Sequence, residues 1–140
     1  SAAVTTPRVR LPPPLAAAIA AAAAQAAPRE CCGLLEGVRR DGFFIVQALH
    51  PARNLSAEPD RFEIDPRDHI AAVKKARSAG AAIIGCYHSH PEGAARPSAR
   101  DLAGAGEEDF LWLIAAGERL EAFVYSDGSF LGADWVTSSA

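Results

Sequence analysis

Two Asp-Gly pairs, each between apolar runs, constrain the fold of this chain more than any other feature. The first pair, residues 41–42, separates the runs 31–38 and 43–49, and the second, residues 127–128, separates 120–125 and 130–136. Asp-Gly in this setting is a strong signal for a tight β-hairpin turn. The sequence therefore predicts two antiparallel hairpins, one in each half of the chain.

Helical signals interrupt this pattern of strands. Prolines at 12–14 are tolerated in a first helical turn, and the alanine-rich stretch 15–27 that follows has high helix propensity. Asp65 is a candidate N-cap ahead of a helix over 66–78, with Gly80 as its C-cap. A short third helix is predicted over 98–105.

The remaining apolar runs predict further strands. The run 81–87 fits a buried central strand, and shorter strands are predicted over 9–11, 62–64 and 110–115. Residues 50–60 and 91–97 are predicted loops. Hairpins interrupted by helices indicate a mixed α+β fold, that is, an α/β arrangement in which helices pack on a mixed sheet.

Length and composition bound the class of protein. The 140 residues fit one domain spanning 1–140, of which 1–8 are expected to be disordered. A net charge of −3 without a Lys/Arg run gives no reason to expect a nucleic-acid partner. No segment has the length or composition of a membrane span or a signal peptide, so a cytoplasmic protein without a membrane partner is expected. Three cysteines, an odd number, favour reduced thiols.

Chemistry-bearing residues follow the predicted central strand. His88 and His90 are two residues apart, so on a strand they share a face. Asp101 lies on the short predicted helix behind the 91–97 loop, which is long enough to fold that helix back over the strand end. Two imidazoles and one carboxylate are a catalytic-type zinc set that leaves a fourth position for water.

Each of these residues also has a simpler interpretation. Ser98 and Asp101 fit a capping box at the start of the short helix, and Ser98 can cap the helix while pointing its hydroxyl into a site. Glu30 precedes a predicted strand and is a candidate general base, although a lone carboxylate there is also compatible with a solvated surface position. Cys86 shares the strand face of His88 and is either a ligand or a buried thiol.

Taken together, the segments resemble a known motif. They are Glu30-Cys31-Cys32-Gly33-Leu34-Leu35, His88-Ser89-His90-Pro91 and Ser98-Ala99-Arg100-Asp101. This set is similar to the motif of the JAMM (MPN+) zinc metalloproteases of the short prokaryotic type, and the resemblance extends over residues 15–136. It implies a curved mixed β-sheet flanked by helices, the cytidine-deaminase-like JAMM/MPN architecture, with the zinc at one edge of the sheet.

The resemblance also implies roles for the motif residues. His88, His90 and Asp101 would bind one Zn²⁺ per chain. Glu30 would activate the attacking water and then protonate the leaving amine, and Ser98 would stabilise the oxyanion. Members of this family cut amide bonds after the C-terminal Gly-Gly of ubiquitin-like proteins, and a groove beside the sheet can hold an extended tail by strand addition.

Several alternatives remain open at this level. The first expectation for the substrate is the tail of a ubiquitin-like sulfur-carrier protein, which is trimmed or from which cysteine is released. The alternative is an isopeptidase, deubiquitinase-like or desampylase-like, acting on protein conjugates. A third is a non-catalytic module of the same fold. A zinc nucleobase deaminase is excluded because no Pro-Cys-x-x-Cys follows His90. The oligomeric state and a contribution of Arg96 to the site also remain open; a dimer is compatible with the sequence.

Overall fold

A computed structural model of the chain describes residues 6–137. In this part of the chain the elements follow one another as β1 (Arg8–Arg10), α1 (Pro13–Ala26), β2 (Cys32–Arg40), β3 (Phe43–Ala52), α2 (Pro66–Ser78), β4 (Ala82–Ser89), α3 (Ala99–Gly104), β5 (Phe110–Ala116), β6 (Arg119–Ser126) and β7 (Ser129–Val136). The predicted mixed fold is confirmed, since helices alternate with hairpins along the chain.

The strands form a single sheet that closes into a barrel in the order β1-β3-β2-β4-β5-β6-β7. The β4–β5 pair and both pairs of β1 are parallel, and the other neighbours are antiparallel. The three-residue strand β1 closes the barrel, because Val9 pairs with Phe44 on one side and with Trp135 on the other. The expected curved sheet is thus present, and its curvature is carried to closure.

Both predicted hairpin turns are confirmed by their backbone angles. Asp41 and Gly42 have φ angles of 53° and 79°, and Asp127 and Gly128 have 53° and 81°. Positive φ at both central residues is the signature of a type I′ turn, whose twist matches that of the flanking strands. Arg39 and Arg40 belong to β2 rather than to the turn.

Alternating side chains divide the core between the two faces of the sheet. Leu35 and Tyr87 point to the face covered by α1, where Ile19 is fully buried. Leu34 and Cys86 point to the opposite face, where they pack with Ala72 of α2. The period of two along each strand therefore supplies both cores.

The second residue of β2, Gly33, has to be a glycine. Gly33 pairs directly with Tyr87 of β4, and a Cβ atom at position 33 would lie 2.3 Å from the tyrosine ring. Only a residue without a side chain leaves room for the buried ring. The strand that follows Glu30 is thereby drawn tightly against β4.

The structure departs from the sequence prediction at three places. Residues 62–64 do not form a strand; Ile64 makes only an isolated bridge with Asn54, because the surrounding segment is held by side-chain hydrogen bonds. Residues 50–52, predicted as loop, continue β3. Of the segment 1–8 expected to be disordered, residues 1–5 lie outside the described residues, whereas Arg8 lies in β1.

Among the described residues, no helix combines the length and the apolar character that crossing a membrane requires.

Candidate metal centre and active site

His88 and His90 lie at the end of β4. This strand is paired on both sides, so that His88 lies beside Cys32 of β2 and Ile114 of β5. The resemblance placed the metal at one edge of the sheet, whereas the histidines lie where a central strand ends. His88 is fully buried and His90 is 8% exposed. Their Nε2 atoms are 2.9 Å apart.

Asp101 reaches the histidines from α3. The predicted capping box is present: the Ser98 hydroxyl accepts the backbone N–H of Asp101 at 3.0 Å, and Asp101 Oδ2 accepts the backbone N–H of Ser98 at 2.9 Å. The same Oδ2 lies 3.1 Å from Nε2 of both His88 and His90. The cap therefore orients the carboxylate that the histidines share.

Three ligand-type atoms thus converge on one point. In a tetrahedral zinc site, metal–ligand distances of about 2.0–2.2 Å place ligand atoms about 3.3–3.5 Å apart, slightly wider than the separations here. His90 Nδ1 lies 2.8 Å from the carbonyl oxygen of Ala94, and a donor hydrogen bond from Nδ1 leaves Nε2 as the metal-binding atom. The donor set and its geometry fit a zinc ion.

Glu30 lies on the open side of this cluster, just before β2. Its side chain offers an oxygen within 4.8 Å of ligand atoms of His88 and His90, so that these three residues also form a group able to hold a metal. Asp101 is the better third ligand because one oxygen contacts both histidines. Glu30 is 5% exposed, and its Oε1 is buried without a hydrogen-bond partner.

Burial shifts the protonation of these groups in different directions. Burial raises the pKa of Glu30 to about 7, although the neighbouring His90 opposes the shift. Burial also opposes ionisation of Asp101, but hydrogen bonds with His88 and His90 outweigh it and hold the pKa of this carboxyl below its ordinary value. Burial lowers the pKa of His88, which favours the neutral, metal-binding imidazole. A carboxyl poised near neutral pH beside a metal site suits a proton-transfer role.

An aromatic wall packs against the buried candidate ligand His88. Phe62 stacks on the His88 ring with centroids 4.3 Å apart and an interplanar angle of 24°. Trp112 of β5 meets the same ring edge-on at 5.6 Å. The wall fixes the orientation of the imidazole and limits the access of water to it.

Two clefts adjoin the candidate site. One, of about 700 Å³, has an apolar floor that includes Leu34, Cys86 and Trp112. The other, of about 670 Å³, is lined by Glu30, His90 and Ser98 among others. Arg100 lines both clefts and forms an ion pair with Glu58, which lines the first. Residues of the candidate site therefore line both clefts: Asp101 in the first, and Glu30, His90 and Ser98 in the second.

The structure brings together all five residues that the sequence singled out: Glu30, His88, His90, Ser98 and Asp101. It leaves Cys86 outside the cluster, packed with Leu34 and Ala72 in the second core, where burial raises the pKa of its thiol well above the ordinary value. Arg96 lines the cleft of Glu30 without a described contact to the cluster. The three thiols are free.

Sequence reasoning missed the contribution of the 54–63 segment to the site. Phe62 was predicted only as the start of a short strand, and no spacing in the sequence links Asn54 or Phe62 to His88. The one available signal was an aromatic residue within an otherwise polar stretch, and such a residue needs an apolar partner elsewhere in the fold.

Comparison with known proteins gives this geometry its context. Residues 12–126 match the profile of the prokaryotic homologs of the JAB domain. The chain belongs to this family.

Individual relatives of this JAB-domain protein agree with the assignment. A protein of Haloferax volcanii named desampylase is 35% identical over 105 residues, which cover 74% of each chain. A protein of Thermus thermophilus named probable TtuB-protein conjugate cleaving protease is 32% identical and covers 73% of this chain and 66% of its own length. The solution structure of a Desulfitobacterium hafniense protein is 32% identical, covers 91% of both chains and superposes with a TM-score of 0.84.

These matches confirm the predicted JAMM-type family, its fold and its hydrolase class. They leave the roles of the individual site residues as predictions from geometry.

Proposed function

We propose that this JAB-domain protein is a zinc-dependent peptidase that hydrolyses the amide bond after the C-terminal Gly-Gly of a ubiquitin-like protein. The observation that carries the proposal is the convergence of His88, His90 and Asp101, whose ligand atoms lie 2.9–3.1 Å apart, beside a buried Glu30 oxygen without a partner. A zinc ion bound there supplies a Lewis acid and lowers the pKa of water to about 7.

The chain's own residues have distinct tasks in this proposal. Glu30, with its raised pKa, takes the proton of the attacking water and passes it to the leaving amine. Ser98 accepts a hydrogen bond from Asp101, which leaves its own hydroxyl proton available for the developing oxyanion. Asp101 contacts both histidines with one oxygen and thereby orients them toward a common point.

The substrate form follows from the two clefts and from the relatives. A ubiquitin-like tail in one cleft and a leaving group in the other would place the scissile bond between Glu30 and the histidines. Relatives named desampylase and probable TtuB-protein conjugate cleaving protease favour a protein conjugate, joined through a lysine, as the substrate. The tail of a ubiquitin-like sulfur carrier, trimmed or releasing cysteine, is the second candidate, because the clefts are equally open to a short linear extension.

The test uses two substrates built on one ubiquitin-like carrier. One carries a short extension after Gly-Gly, and the other is joined through Gly-Gly to a lysine of a second protein. Mass spectrometry after incubation with the zinc-loaded protein should show cleavage directly after Gly-Gly that a chelator abolishes. A preference for the lysine-linked substrate supports the isopeptidase, and a preference for the linear one supports carrier processing. Zinc bound at one per chain without any cleavage contradicts both and favours a non-catalytic module.

Two variants separate metal binding from proton transfer. Asp101→Ala should lose zinc, as measured by elemental analysis. Glu30→Gln should keep zinc and lose activity by about 10²- to 10⁴-fold, the usual contribution of a general base. Glu118→Gln, which alters an exposed carboxylate outside the site, is the matched control and should keep both. Full activity in Glu30→Gln removes Glu30 from the mechanism, and unchanged zinc in Asp101→Ala removes Asp101 from the ligands.

A further inference from the structure

Asn54, two residues after the end of β3, makes four side-chain hydrogen bonds. Its amide nitrogen donates to the carbonyl oxygens of Glu30 at 3.1 Å and Arg61 at 3.2 Å. Its amide oxygen accepts the backbone N–H groups of Ser56 at 2.9 Å and Glu63 at 3.0 Å. A primary amide has two N–H donors and two acceptor positions, so this side chain is fully used.

The segment 54–63, whose two ends the Asn54 amide joins, contacts the candidate site at two points. Phe62, near its end, stacks on His88 at 4.3 Å. Glu58, near its middle, pairs with Arg100, the residue before Asp101. Two backbone hydrogen bonds of an isolated bridge also join its ends, from Leu55 N–H to the carbonyl of Glu63 at 2.8 Å and from Asp65 N–H to the carbonyl of Arg53 at 3.0 Å. The Asn54 amide adds side-chain bonds to Arg61, Ser56 and Glu63, and among the described residues it alone links this bridge to the backbone of Glu30.

Glu30 depends on its backbone for placement. It lies between α1 and β2, outside any helix or strand, and its Oε1 makes no hydrogen bond. The peptide unit that joins it to Cys31 is held on one side by the Cys31 N–H, which donates to Ser89 Oγ at 2.8 Å. The next peptide unit is held by Ser89 N–H, which donates to the carbonyl of Cys31 at 3.2 Å. The other polar group of the Glu30–Cys31 peptide unit, the carbonyl oxygen of Glu30, accepts its hydrogen bond from the Asn54 amide.

From these contacts we infer that Asn54 is a positioning residue: it sets the Glu30 carboxylate against the histidine pair and holds Phe62 on His88. The inference deepens the proposed function and rests on it insofar as Glu30 is the base. The Asn54 side chain thereby connects two parts of the site: the backbone of Glu30, and the segment that carries Phe62 to the ring of His88. Misplacing a reacting group by about 1 Å can cost about 100-fold in rate, so such a tie affects turnover.

Asn54→Asp is the sharpest variant because it keeps the size and the acceptor oxygen of Asn54. It replaces the donor nitrogen with a carboxylate oxygen that faces the carbonyl oxygens of Glu30 and Arg61, so both ties break by repulsion. Ser56→Ala is the matched control. It removes a hydroxyl that turns the same segment at Glu58 and leaves the four Asn54 contacts in place. If Asn54→Asp fails to fold, Asn54→Ala removes the same donors without adding charge.

The kinetic arm compares kcat and KM in the zinc-loaded proteins. Asn54→Asp should lower kcat by about tenfold or more, with KM within about threefold of wild type and zinc still at one per chain. Ser56→Ala should stay within about threefold of wild type in kcat. Loss of zinc, a change confined to KM, an unchanged kcat or an equal loss in both variants overturns the inference.

A second arm needs neither zinc nor substrate. In ¹H–¹⁵N spectra of the metal-free protein, Asn54→Asp should shift the amide signals of Cys31 and Ser89 and speed their hydrogen exchange, while Ser56→Ala should leave them in place. Unchanged signals in Asn54→Asp overturn the inference whatever the kinetics show. If wild type cleaves no substrate, the proposed function fails by itself, and this arm alone decides whether Asn54 holds Glu30.

Discussion

Burying the Glu30 carboxyl costs the folded protein free energy whenever the carboxyl is ionised. It is almost fully buried, one oxygen has no partner, and burial raises its pKa to about 7 from an ordinary 4.5. A folded-state pKa above the unfolded value means that the folded protein binds the proton more tightly. Its contribution to stability is therefore complete below pH 4.5 and is lost as the pH rises through about 7.

Glu30→Gln in the metal-free protein tests this cost directly. Glutamine is neutral at every pH, so the variant should have nearly the stability of wild type at about pH 4.5. At about pH 8 it should be more stable by about 1–3 kcal/mol, after allowance for solvent screening. Urea unfolding at the two pH values measures the difference. A variant that is less stable than wild type at the higher pH contradicts an uncompensated carboxylate at position 30.

The five candidate site residues were predictable because their types and spacing carry chemistry. His88 and His90 fall two apart at the end of an apolar run, and Asp101 has a capping serine three residues earlier. The support around them was not predictable in this way. Asn54 and Phe62 act through contacts with residues 24 and 26 positions away, and no local pattern reports such a contact.

At the scale of an element, α3 is a short helix whose first turn carries the candidate ligand Asp101. Ser98 and Asp101 exchange two hydrogen bonds across that turn, and Asp101 then contacts both histidines with the same oxygen. A six-residue helix has little stability of its own. The cap and the candidate metal site therefore depend on each other.

Ser98→Ala should accordingly weaken the helix and the metal site together. Loss of the cap costs about 1 kcal/mol, and the freed Asp101 should lower zinc affinity by up to about tenfold. Ser98→Thr keeps the hydroxyl and should retain most of the affinity. Competition with a zinc-binding dye measures both variants. Equal zinc affinity in Ser98→Ala and wild type contradicts the coupling between cap and ligand.

At the scale of the whole molecule, the barrel depends on its shortest strand. β1 has three residues, yet it pairs with β3 and β7 and thereby joins the first and last parts of the sheet. Val9 at its centre is fully buried, whereas Arg8 beside it is exposed and lies over the ring of Phe43.

Val9→Ala should therefore lower the free energy of unfolding by about 1–3 kcal/mol, since it removes buried methyl groups at the closing strand. Arg8→Ala, on the exposed face of the same strand, should cost less than about 1 kcal/mol. Thermal or urea unfolding of both variants measures the two losses in the free energy of unfolding. Similar losses in the two variants contradict a closing role for the buried side chain.

The helices and hairpins could be predicted from the sequence, whereas the closure of the barrel by β1 could not. Helices and hairpins have local signals, such as the proline after Asp65 and the two Asp-Gly turns, and these predictions were confirmed. Pairing of β1 with both β3 and β7 joins Val9 to Trp135 across nearly the whole described chain. Such a contact depends on the complete arrangement of the sheet, which no short stretch of sequence encodes.

The edge-on contact of Trp112 with His88 also gives the protein an optical property. The chain has two tryptophans, and the second, Trp135, donates its indole N–H to the carbonyl of Leu120 away from the histidines. In a Trp135→Phe background, indole emission comes only from the ring that borders His88. The protein thus contains its own fluorescent reporter of whether the site is filled, readable without a label or a substrate.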